Sequence, residues 1–189
     1  MKKFQQILMA FAAMIIGFSS CGDDDVDQAM VLSGEWEGDF GMSYCIDWHG
    51  EEIWFDADYS VLTFIPAYDL ATHGTGYEMD YYMYGPYESE FFKFRWKVDG
   101  GEVIIKYYDP SLNDLYINNY YMDNDYFGGR FQESGMKFKL FKRKDFYDWT
   151  PWLEKDHSYK YRNDWTRSRT VQENDEDDLV IKYRGLRKK

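Results

Sequence analysis

The sequence predicts an all-β protein, an antiparallel up-and-down meander closing into a barrel of about eight strands, with a short C-terminal helix or tail. Three observations carry this. Between Leu32 and Lys144 the dominant hydrophobic period is two. Turn residues recur about every 8–12 positions, as in barrels and sandwiches. No stretch of this body shows a 3.6 period.

The elements follow in order. Glu35–Tyr44, Glu52–Tyr59, Ser60–Ile65 and Thr75–Tyr84 are the early strand candidates. Phe92, Phe94, Trp96 and Val98 alternate with Lys93, Arg95 and Lys97, the pattern of a strand with one buried and one wet face. Asp99-Gly100-Gly101 breaks the alternation, and Val103, Ile105 and Tyr107 resume it, which predicts a tight antiparallel hairpin. Asp114–Tyr121 precedes a second hairpin, in which Tyr126–Glu133 turns at Ser134-Gly135 into Met136, Phe138 and Leu140. Thr150 and Pro151 suit a helix start running through Trp152 and Leu153. Beyond Trp165 the chain is polar, with Asp175–Asp178 followed by a basic end. It reads as a partly disordered tail, in which residues 179–181 alone have strand character.

Composition narrows the function. Acids outnumber bases 34 to 22, which argues against a nucleic-acid partner, whose mark is a basic face. Aromatics make up 21% of the 189 residues, far above what an acidic disordered chain carries.

The first residues read as an address. Met1-Lys2-Lys3 is a positive start, Ile7–Phe18 an apolar run too short to span a bilayer comfortably, and Ser19-Ser20-Cys21 follows. A cysteine after two small residues resembles the lipobox of bacterial lipoproteins. That resemblance implies cleavage before Cys21 and acylation of Cys21 on sulfur and amine, hence a palmitate-type anchor; Phe18 departs from the usual leucine. Gly22-Asp23-Asp24-Asp25 resembles the acidic export signal of surface lipoproteins of the Bacteroides group, which implies attachment at the outer membrane facing outward. The expected organisation is a signal peptide over 1–20, an acidic tether over 21–31, the barrel over 32–144, and a short helix and tail over 145–189. Cleavage leaves 20 bases against 34 acids, a charge of −14. With Cys21 acylated, Cys45 has no disulfide partner and reads as a small buried hydrophobe.

Gly34-Glu35-Trp36 at the first strand resembles the Gly-x-Trp signature of lipocalins. In that family the tryptophan crosses the closed end of the barrel and a late basic residue stacks on it. Gly34, Trp36 and, by position, Arg143 take these structural roles here.

Chemistry is harder to find. His49, His73 and His157 lack ligand spacing, and Asp123-Asn124-Asp125 begins like a calcium loop but has Ser134 where the closing glutamate belongs. A looser calcium site from Asp109, Asp114, Asp123 and Asp125 is the remaining metal reading. Glu78, Asp80 and Glu88 carry nothing that distinguishes them from surface charge. No catalytic residues, metal or cofactor are assigned, and the protein is read as no enzyme. Tyrosines are the informative excess: Tyr77, Tyr81, Tyr84, Tyr107 and Tyr120 are the candidate ligand-binding residues, because tyrosine offers a flat apolar body with a polar tip. Ordinary ladder packing is the competing reading. The expectation is a membrane-anchored binding module for a small apolar or carbohydrate ligand; the alternative is a structural or interaction accessory of an outer-membrane complex, its protein partner unknown.

Overall fold

The computed structural model describes residues 22–153, 159–162 and 180–186. Cys21, the signal segment, His157 and most of the C-terminal tail lie outside the described residues. The fold is a nearly closed antiparallel barrel, as the alternation predicts. Helix α1 (Gly22–Leu32) leads into β1 (Gly34–Asp39), β2 (Met42–Trp48), β3 (Glu51–Asp56), β4 (Tyr59–Pro66), β5 (His73–Tyr81), β6 (Tyr87–Asp99) and β7 (Glu102–Tyr107). Then come β8 (Leu115–Ile117), β9 (Asn119–Met122), β10 (Tyr126–Arg130), β11 (Lys137–Lys142), α2 (Thr150–Leu153), β12 (Tyr159–Tyr161) and β13 (Val180–Leu186).

The wall runs β8-β7-β6-β5-β4-β1-β11-β10-β9, so β1 joins two meanders. Its seam lies between β8 and the β10–β11 side, bridged by Gln132 N donating to Tyr116 O at 2.9 Å. β12 extends the wall against the first residues of β6. Gly100 and Gly101 turn β6 into β7 at φ 62° and 78°, conformations that favour glycine.

Two predicted strands are each two. Glu35–Tyr44 breaks at Phe40-Gly41 because β2 leaves the wall to form a separate three-stranded sheet, β13-β2-β3. Asp114–Tyr121 divides into β8 and β9 at the barrel seam. Part of the expected tail is also strand: β13 pairs with β2 along its length, from Val180↔Asp47 to Leu186↔Met42. Met42 and Leu186 join the barrel core, so the small sheet caps one pole.

The interior is filled. Trp36, Leu62, Phe64, Phe92, Phe94, Trp96, Phe127, Phe138 and Leu140 form one buried cluster, with rings meeting edge to face at 4.9–5.9 Å for Phe127–Phe138 and Trp36–Phe127. A second apolar layer covers the outside of β4–β6, where Val61, Met79 and Phe91 pack beneath Tyr147, Trp149 and Trp152.

The segment expected as an acidic tether is helical and closes the other pole. Ala29 and Leu32 turn inward to the core, Asp24 and Asp27 outward, and Asp25 accepts the amides of Gly100 and Gly101 at 2.8 and 2.9 Å. Trp36 Nε1 donates to Leu32 O at 2.7 Å. The basic residue on this tryptophan is Lys142 rather than Arg143. Trp36 and Lys142 are register partners, so Lys142 shares the Trp36 face and the next residue points elsewhere. Lys142 Nζ lies 4.3 Å from the indole centroid and donates to Val31 O (2.7 Å) in the last turn of α1 and to Ser33 O just beyond the helix. Burial pushes its ammonium down to about 8, while the ring and the carbonyls hold the charge in place. Arg143 instead pairs with Glu37 and Glu35.

Replacing Lys142 by methionine keeps the stem and removes the charge and donors. The fold should lose about 1–3 kcal/mol in denaturant titration. Amide exchange should quicken first over Ala29–Leu32, and unchanged exchange there would show that this latch is not what holds α1.

Candidate functional site

The small-sheet pole holds two features, a buried polar cluster and a cleft above it. The cluster comes from strand parity. On β5 the odd residues Tyr77, Met79 and Tyr81 face outward beneath the second apolar layer, leaving Glu78 and Asp80 facing inward. Their cross-strand partners are Leu62 and Ser60 on β4, and Phe92 and Glu90 on β6. The two acids read as surface charge are therefore fully buried, and Glu90 is 1% exposed.

Each carboxylate finds partners. Tyr107 donates to Glu78 Oε2 at 2.6 Å, Ser60 to Asp80 Oδ1 at 2.5 Å, and Tyr82 to Glu90 Oε2 at 2.9 Å. Arg184, from β13, lies 2.7 Å from Glu90 Oε1 and 3.9 Å from Asp109. Glu78 Oε1 and Asp80 Oδ2 are left without a donor, and these two side chains hydrogen-bond each other once one of them carries a proton. Burial pushes the Glu78 carboxyl up to about 7, and burial together with the Glu78 charge drives Asp80 well above the usual carboxylate range. The pair thus keeps a shared proton at neutral pH. Burial also raises Glu90, opposed by the Arg184 guanidinium.

Above the cluster opens a cleft of about 300 Å³, lined by Met42, Leu112, Leu115, Tyr183 and Leu186 with Asn113, Glu133 and Ser134 at polar positions. Tyr107 belongs to both features. It lines the cleft, and its hydroxyl donates to Glu78.

The five tyrosines singled out from sequence do not form one site. Tyr107 lines this cleft. Tyr84, 72% exposed, borders a separate hollow with Asp39, Asp56 and Asp58. Tyr77 packs on the outer wall against Trp149 at 5.6 Å, and Tyr81 stacks on Tyr59 at 4.6 Å and bonds Tyr147. Tyr120 is at the opposite pole, edge-on to Phe127 and bonded to Gln28 of α1. Packing claims most of them. Sequence reading missed Leu112, Leu115, Tyr183 and Leu186, which come from a loop, a short strand and the C-terminal strand, where no periodic signal exists.

Among the described residues no group of three or more His, Cys, Asp or Glu is placed to hold an ion. Asp123 Oδ1 accepts the amides of Asp125 and Tyr126 at 2.9 and 2.8 Å, so the calcium-like start serves the β9–β10 turn. Cys45 is a buried thiol.

The shared proton makes stability pH-dependent. Both carboxyls bind protons more tightly in the folded state than in the unfolded chain, so stability present at low pH is lost as pH rises from the ordinary carboxylate range through about 7 for Glu78, and further up for Asp80. Glu78→Gln supplies an N–H to Asp80 and a carbonyl to Tyr107 without that proton. It should exceed the parent by roughly 2–3 kcal/mol at pH 8 in denaturant titration, and the gain should vanish toward pH 4. A variant weaker than the parent at pH 8 would exclude the shared proton. No protein-family model matches this chain, and neither curated proteins nor solved structures give a match.

Proposed function

We propose that the chain is a lipid-anchored lipoprotein of the outer membrane, displayed at the cell surface, whose barrel is a non-catalytic binding module. The anchor rests on the Ser19-Ser20-Cys21 resemblance, and the surface address on the acids that follow it. The ligand site is the cleft at the small-sheet pole. The observation that carries this is the contrast between a barrel filled by its own side chains and a cleft of about 300 Å³ left open above it.

That contrast shapes the ligand. A hollow calyx would take a long apolar molecule; this protein has no such interior, so its ligand is small and held at the rim. Leu112, Leu115 and Leu186 offer an apolar floor, Tyr107 and Tyr183 flat rings, and Asn113, Glu133 and Ser134 hydrogen-bonding edges. One apolar face and several hydroxyls describe a sugar unit, which makes a glycan the favoured class. The Glu78–Asp80 pair argues for no hydrolysis, because both carboxyls are enclosed where a glycosidic bond cannot reach them.

A second reading has its own support. A filled interior is also what a scaffold needs, and an accessory of an outer-membrane complex would present the same pole to a protein.

Asn113→Trp should close the cleft from its exposed rim while changing stability by no more than about 0.5 kcal/mol. Isothermal titration against a panel of mono- and oligosaccharides should show a binder whose affinity falls at least about tenfold in the variant. A panel with no binder, together with a reproducible protein partner captured through the wild-type surface and lost in the variant, would favour the scaffold.

A further inference from the structure

The pole opposite the cleft carries an apolar set that is exposed among the described residues. Tyr68 and Leu70, on the loop between β4 and β5, are 65% and 63% exposed. Ile65 at the end of β4 and Met30 in the last turn of α1 are exposed beside them in the fold order, since β4 ends against the first residues of β1 that follow α1. Phe146, 96% exposed, leaves β11 next to Glu35, which accepts the Tyr147 amide at 2.7 Å.

Leu70 is the most informative of these. It has φ 64°, a left-handed conformation that a leucine rarely adopts, and the loop holds it there with its side chain in water. The loop is not loose at its base: Val98 N donates to Thr72 O at 2.7 Å, Ala67 N to His73 O at 3.0 Å, and Ala71 is buried. A rigid loop that spends backbone strain to present an apolar tip is built for a nonpolar contact.

This pole is also where the chain enters the fold. α1 begins at Gly22, and Asp25 fixes its first turn to the β6–β7 turn. Cys21 is the residue before it, so an acyl group there leaves no slack chain between lipid and barrel.

We infer that the α1 pole lies on the lipid bilayer, with Leu70, Tyr68 and Ile65 entering the interface and the cleft pole pointing away. The inference rests on acylation of Cys21. Asp24, Asp27 and Asp69 are exposed around the apolar set, which suits a surface without net negative charge, such as a phosphatidylcholine leaflet. Met83 and Tyr84 are exposed as well, but they border the hollow lined by Asp39, Asp56 and Asp58 at the pole opposite the chain's entry at Gly22.

The test uses the full chain, purified with its own lipid and reconstituted in phosphatidylcholine vesicles. Leu70→Cys and Tyr84→Cys are each labelled with an environment-sensitive fluorophore. The expected result is blue-shifted emission at position 70, quenched at least twofold by spin-labelled phosphatidylcholine, and water-like, unquenched emission at position 84. Intact mass reads Cys21 separately. A bare Cys21 overturns the anchor and this orientation with it. An acylated Cys21 with water-like emission at position 70, or equal quenching at both positions, overturns the orientation alone.

Discussion

Enclosure of one aromatic interior is the constraint on which the remaining structure depends. Phe64, Phe92, Phe94, Phe127 and Phe138 lose contact with water only if the wall curls and both of its ends are shut. Neither end can be shut by the wall itself. One is closed by α1, held by the Trp36 indole bond to Leu32 O and by Lys142 on the helix-end carbonyls. The other is closed by β2 leaving the wall, pairing with β3 and β13, and sending Met42 and Leu186 inward. The first and last described segments, α1 and β13, thus help to close opposite poles.

The wall was legible because its signal is local. Alternation along residues 92–98, 103–107 and 136–140 reports which face is dry, and glycines at 100, 101 and 135 report the turns. The closures were not legible, for physical reasons. Residues 22–32 have three consecutive aspartates at the start and most of their apolar residues in one run, Ala29–Leu32, so nothing periodic announces a helix; its stability comes from tertiary partners such as Lys142 and the Gly100–Gly101 amides. β13 lies among charges, and its pairing with β2 spans over a hundred residues. Assigning the Trp36 partner to Arg143 missed by one position, which in a strand is the difference between the two faces.

β5 shows the deeper limit. Its Glu78 and Asp80 read as surface charge, and its Tyr77 and Tyr81 as candidate ligand-binding residues. The fold overturns both, because Tyr147, Trp149 and Trp152 arrive from beyond the barrel to bury the odd face on the outer wall. Glu35, which accepts from both the Tyr147 amide and Trp149 Nε1, fastens that covering segment. A strand dry on both faces has no readable parity, and the acids fall inside as a consequence.

Acids placed inside must then be reconciled with a low-dielectric interior, and the manner of it joins the two sheets. Glu78 and Asp80 do so by sharing a proton and taking hydroxyls from Tyr107 and Ser60, all within the wall. Glu90 does so through Arg184, which belongs to β13. Removing β13 would therefore leave a buried carboxylate without its cation as well as an unpaired β2 edge, so the cap is coupled to the barrel by charge as much as by burial. Tyr107 stands between the enclosed carboxyl pair and the open cleft, lining the cleft and donating from its hydroxyl to Glu78. A ligand of the kind proposed for the cleft would meet a residue already fixed from beneath, which would lower the ordering that binding requires.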